Sequence, residues 1–85
     1  MDDKGGNKVR DLSNVSKTEY ALEVFSKENN FIRQIDVYQE FEEAYKNMKY
    51  KFRANHGEYL VITYIDYDSN GDEIAHGTMM TEFDI

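Results

Sequence analysis

Asp66, Asp68, Asn70 and Asp72 alternate along the chain, and Gly71 stands between the last two. Oxygen ligands at this spacing, with a glycine for a sharp turn, open a calcium-binding loop of the EF-hand type. Such a loop closes with a bidentate glutamate at its twelfth position. Counting from Asp66, that position is Gly77, which has no carboxylate. The flanking residues are β-branched and aromatic rather than helix-forming. The same letters read as a β-hairpin whose turn is Asn70-Gly71, a strong short-range signal between alternating apolar residues. We expect a turn with exposed acids around it. A weak calcium site on Asp66, Asp68, Asn70 and Asp72 is the least favoured alternative.

Other residues that could do chemistry stand in no chemical pattern. His56 and His76 are the two histidines, and neither lies at a metal-ligand spacing. There is no cysteine. Ser13, Ser16, Ser26 and Ser69 lack the glycine context of a nucleophile elbow. Carboxylate pairs are unavoidable among 17 acids, so pairing alone does not point to acid–base catalysis. Gly5-Gly6 precedes no helix and forms no phosphate-binding loop. The sequence therefore assigns no catalytic residue, no metal ligand and no cofactor, and a non-enzymatic protein is expected.

Charge is the more informative property. Residues 1–53 hold ten acids and all ten Lys and Arg, whereas residues 54–85 hold seven acids and neither base. The whole net charge of −7 therefore sits in the last part of the chain. Such a field repels nucleic acid and anionic membrane and attracts cationic surfaces. Seven tyrosines suggest base stacking, but nucleic-acid platforms pair aromatics with Lys and Arg, and the strands around Tyr59, Tyr64 and Tyr67 carry none. Direct nucleic-acid binding is not expected. The opening residues MDDKGGNKVRDLSN have no apolar core of the kind a secretion signal needs. No apolar run approaches the ~18 residues that span a membrane. With cysteine absent, a cytoplasmic protein is expected.

The elements that must position these residues follow from periodicity. Residues 1–15 show no period, and a disordered arm is expected, followed by one domain over 16–85. TEYALEVFS alternates as a strand, with Tyr20, Leu22 and Val24 on one face. KENN is turn-prone, and FIRQIDV reads as a second strand with Phe31, Arg33, Ile35 and Val37 on one side. Tyr38, Phe41, Tyr45, Met48 and Phe52 recur at helical spacing, which predicts one long helix from an Asp36 cap to about Phe52. EYLVITYIDY is apolar on both faces and reads as a central strand. DEIAHGTMMTEF returns beside it, with Ile74, His76, Thr78 and Met80 on one face. The fold class is α+β: β-β-α-β-β, with one helix packed on a four-stranded, mainly antiparallel sheet whose other face is expected to be uncovered.

From these elements we expect a small acidic interaction module whose C-terminal hairpin docks on the basic surface of a protein partner. The expected contacts are Tyr59, Tyr64, Asp66, Tyr67, Asp68, Asp72, Glu73, Glu82 and Asp84. A short acidic chain with a loose N-terminus and one helix on a small sheet is similar, in general look, to many small proteins encoded by phages and mobile elements. That impression suggests a partner groove that binds nucleic acid and is blocked by this chain. The alternative is an assembly protein, a homodimer joined through its sheet.

Overall fold

A computed structural model describes residues 11–84. Four strands form one antiparallel sheet: β1 (Lys17–Ser26), β2 (Phe31–Tyr38), β3 (Glu58–Tyr67) and β4 (Glu73–Thr81), in the order β2-β1-β3-β4. The most apolar stretches, β1 and β3, take the two central places. They pair without interruption from Lys17↔Tyr67 to Ser26↔Glu58. The expected arm lies mostly outside the described residues. Its last part, 11–15, makes a turn in which the Val15 amide donates to the Leu12 carbonyl, and Ser16 then joins the Tyr67 carbonyl.

The helix is much shorter than its stripe predicts. A single α-helix, α1 (Phe41–Lys46), runs into one π-helical turn at Asn47–Lys51. Asp36 does not cap it: Asp36 lies inside β2, and its Oδ1 accepts a hydrogen bond from the next amide, Val37. Pairing with β1 holds β2 extended as far as Tyr38, which faces Tyr20. Tertiary pairing has overridden a helical pattern, because Tyr38 reaches the core equally well from a strand. The helix begins at Glu40, with no side-chain cap. At its other end the Phe52 amide donates to the Asn47 carbonyl, which widens the turn. Arg53 donates to the carbonyls of Lys49 and Phe52 and satisfies that end.

The core lies between the helix and one face of the sheet. Leu22, Val24, Leu60 and Ile62 meet Ala44, Met48 and Tyr38, all buried. Phe41 and Tyr45 are half-buried, and Phe41 packs edge-on against Tyr20 at 5.9 Å. α1 lies over β1 and β2, and the π turn over β3.

Both outer ladders carry two β-bulges. The register leaves Ile32 and Ile35 unpaired in β2, and Ile74 and Met79 unpaired in β4. Each bulge reverses the alternation of faces beyond it. The side-by-side grouping of Phe31, Arg33, Ile35 and Val37 therefore fails. Phe31 faces away from the helix, Arg33 lies on the helix side opposite Val24, and Ile35 packs on the core. In β4, Met80 is opposite Ile62 on the helix side, while His76 and Thr78 stand on the other face.

The β3–β4 connection is the expected hairpin. The Gly71 amide donates to the Asp68 carbonyl, and Asp68 and Asp72 close a three-residue loop. Gly71 takes φ +85°, which glycine adopts at no steric cost.

Two stability predictions follow from this packing. Ile62→Ala should cost about 2–5 kcal/mol in chemical denaturation, a large part of what a domain of this size holds. The two glycines should respond by different mechanisms. Gly71→Ala meets open space and should lose only about 1 kcal/mol through its backbone. Gly77→Ala places a methyl 2.9 Å from the Tyr64 hydroxyl. It should cost about 1–3 kcal/mol and perturb tyrosine fluorescence, which Gly71→Ala should leave alone.

Candidate functional site

The face of the sheet away from the helix is only partly apolar. At its centre Ala21 and Val61 are buried, although no helix covers them. The Thr63 hydroxyl donates to Glu23 Oε1 at 2.8 Å, linking β3 to β1 beside these two residues. The face thus closes its own middle with polar side chains. The expected uncovered face is therefore open around its rim and not at its centre, where Val61 is buried.

The aromatic side chains gather at one end of that face. Phe25 packs edge-on to Phe31 at 5.9 Å and against Tyr59 at 6.1 Å. Tyr59 in turn lies 5.3 Å from Phe83, in the 3₁₀ turn Glu82–Asp84 that ends β4. The row Phe31–Phe25–Tyr59–Phe83 therefore runs across the width of the sheet. Its two ends are the most open, with Phe31 56% and Phe83 66% exposed. Asn29 fixes the ring of Tyr59 by accepting its hydroxyl proton at 2.7 Å. Asn29 itself holds φ 71° in the β1–β2 turn.

Phe25 also borders a depression of about 360 Å³. Glu23, Thr63, Ile65, Glu73, His76, Gly77 and Thr78 line the rest of its wall. His76 Nδ1 is 2.7 Å from Glu73 Oε2. No Lys or Arg lines the depression. At the far end of the face, Lys17 binds Glu19 at 3.1 Å and lies over the Tyr67 ring. A hydrogen bond from Gln39, together with Lys17, holds the Glu19 carboxyl below its usual range.

The expected contact residues divide among three places. Tyr59, Tyr67 and Glu73 stand on this face, and Asp68 and Asp72 sit in the loop next to Glu73. Tyr64 is on the helix side, its ring against Gly77. Glu82 and Asp84 lie at the opposite end of β4, roughly 25 Å along the strand from the loop. There they serve the backbone: Glu82 Oε1 accepts from the Leu60 amide, and Asp84 Oδ2 accepts from the Thr81 amide.

Asp66 is the clearest correction. It is fully buried on the helix side, and its Oδ1 accepts from the Thr18 hydroxyl at 2.6 Å. It cannot touch a partner. Nor does it converge with Asp68, whose Oδ1 accepts from the amides of Asn70 and Asp72. The acids separate because Asp66 lies inside β3 with its side chain buried, whereas Asp68 lies in the loop and its carboxylate folds onto the turn amides.

Sequence reasoning missed Glu23, Phe25, Phe31, Thr63 and Phe83. The signal for Phe25 and Glu23 was present, since both alternate with the core residues Leu22 and Val24. Phe31 was obscured by the bulge at Ile32. No protein-family model matches the chain, and neither a curated protein nor a solved structure does. Among the described residues, no helix is long and apolar enough to cross a membrane.

The chemistry of two phenols, the buried Tyr38 and the half-buried Tyr67, gives a pH prediction. Burial, then the nearby charges of Asp36 and Glu43, pushes the Tyr38 phenol above the ordinary tyrosine value. Burial, then Glu19, does the same to Tyr67. A raised folded value means that stability is intact below the ordinary tyrosine range and is lost as pH rises through the raised one. Alkaline titration should therefore show late phenolate absorbance coinciding with unfolding. Tyr38→Phe should move the alkaline unfolding midpoint upward.

Proposed function

We propose that this chain is a non-enzymatic protein-interaction module that docks on a basic partner through the helix-free face of its sheet. The observation that carries this reading is the aromatic row, exposed at both ends, running into a depression that holds carboxylates and no cation. Aromatic side chains supply rigid contact area at little entropic cost. The neighbouring acids supply the complement of a basic surface. The −7 of residues 54–85 extends that attraction beyond contact distance and raises the rate of encounter.

The acidic loop keeps a part in this scheme. Glu73 lines the depression and Asp68 and Asp72 sit in the adjoining loop, so a partner laid along β1 and β3 meets aromatics at one end of the face and further acids towards the other. A nucleic-acid-binding groove has the required Lys and Arg, and occupying it would exclude the nucleic acid. An inhibitor of that kind, phage-like in style and at work in the reducing cytoplasm, fits a cysteine-free acidic chain. Self-association through the same face is less well supported. A two-fold dimer apposes the same patch on both copies and would bring Glu23 and its neighbouring acids against themselves.

The reading is tested by selecting binders from a random peptide display library and mapping them by NMR on the labelled chain. Enriched peptides should combine basic and apolar residues and shift the amides of Phe25, Phe31, Tyr59 and Phe83. Phe31→Ala and Phe83→Ala remove exposed rings and should each weaken binding about tenfold with the fold intact. Binders that map to the helix side, or that ignore both substitutions, would sink the proposal. Sedimentation of the free chain should show a monomer near 10.0 kDa. A dimer abolished by Phe83→Ala would favour assembly through the sheet instead.

A further inference from the structure

We infer that the depression beside Phe25 receives one arginine side chain of the partner, an inference that rests on the docking face proposed above. Three features of the site specify that group. The first is an excess of carboxylate over fixed positive charge. Glu23 and Glu73 both line the depression, together with Thr63, Thr78 and His76, and none of the lining residues is Lys or Arg. Lys17, at the far end of this face, is engaged by Glu19 and the Tyr67 ring.

The second feature is orientation. Thr63 donates to Glu23 Oε1 and holds that oxygen, and no hydrogen bond among the described residues engages Oε2. A half-buried carboxylate held in this way keeps acceptor capacity for an incoming donor at little further entropic cost. Glu73 is anchored by His76 at 2.7 Å and offers a second acceptor from the opposite strand. Donors are needed in more than one direction, which suits the planar fork of a guanidinium better than the point charge of an ammonium.

The third feature is the apolar wall. Ile65 and Phe25 line the depression among its polar groups. An arginine lays its methylene stem on such surface and stacks its guanidinium on an aromatic ring. A volume of about 360 Å³ is at the low end for sites that enclose a free small molecule. It accommodates one long side chain delivered by a partner whose neighbouring apolar residue rests on the aromatic row.

The test uses two probes on the whole chain at low salt: N-acetyl-tryptophanyl-arginine amide and the same compound with citrulline, which keeps the shape and removes the charge. The arginine probe should shift the amides of Glu23, Thr63, Ile65 and His76 in a saturable way. Citrulline, or Glu23→Gln in the protein, should weaken that binding roughly three- to fivefold. Glu23→Gln retains a carbonyl for Thr63, so the fold should persist, and spectra away from the face should confirm it. Glu28→Gln, a charge change in the exposed β1–β2 turn, should leave the affinity unchanged. If both probes shift Phe25, Phe31 and Phe83 equally and Glu23→Gln has no effect, the arginine site is wrong while the docking face stands. If neither probe shifts this face at all, both proposals fail.

Discussion

Everything else in this structure depends on the register between β1 and β3. Ten consecutive residues of each strand pair without a bulge, and they supply most of the core on one face. The same ladder sets Glu23 opposite Val61, Phe25 opposite Tyr59 and Ala21 opposite Thr63 on the other face. A slip of one residue would exchange the two sets, burying Glu23 beneath the helix and exposing Leu22. The cost of that exchange fixes the register. The aromatic row and the polar bridge are therefore properties of the core as much as of the surface.

The polar bridge explains how a strand apolar on both sides sits in a sheet covered on one. The run EYLVITYI invites the inference that something must cover its second face. The chain instead uses two neighbours in the ladder. The small side chain of Ala21 leaves room for Glu23 and Thr63, whose hydrogen bond spans β1 and β3. Burial of Val61 is thus completed within the sheet. What remains open is local: an aromatic strip at one end and a depression with a charged lining beside it.

The strands, their order of appearance and the Gly71 turn were legible, because alternation and turn chemistry are local signals. The start of the helix was not. Tyr38 satisfies both a helical stripe and a strand position, and only pairing with Tyr20 decides between them. The faces of the outer strands were also hidden. Every residue at a bulge is aliphatic or methionine, namely Ile32, Ile35, Ile74 and Met79, so each reads as a regular member of a strand pattern. Asp66 was read as a surface acid because aspartate usually is one. Its burial depends on Thr18, 48 positions earlier, and no local pattern reveals such a pair. Of the candidate face, Tyr59, Tyr67 and Glu73 came from the sequence, while the rest needed the register.

The placement of the bulges has a consequence for behaviour at high concentration. All four fall on β2 and β4, the strands whose outer sides have no neighbour among the described residues. A straight outer strand presents a regular row of free amides and carbonyls, on which another chain can template and begin a fibril. Each bulge twists that row and breaks its repeat, so an added strand would lose its ladder after a few residues. The stretch with the greatest propensity to stack, EYLVITYI, is enclosed between β1 and β4. Growth from that stretch therefore requires one of its two neighbours, β1 or β4, to detach first.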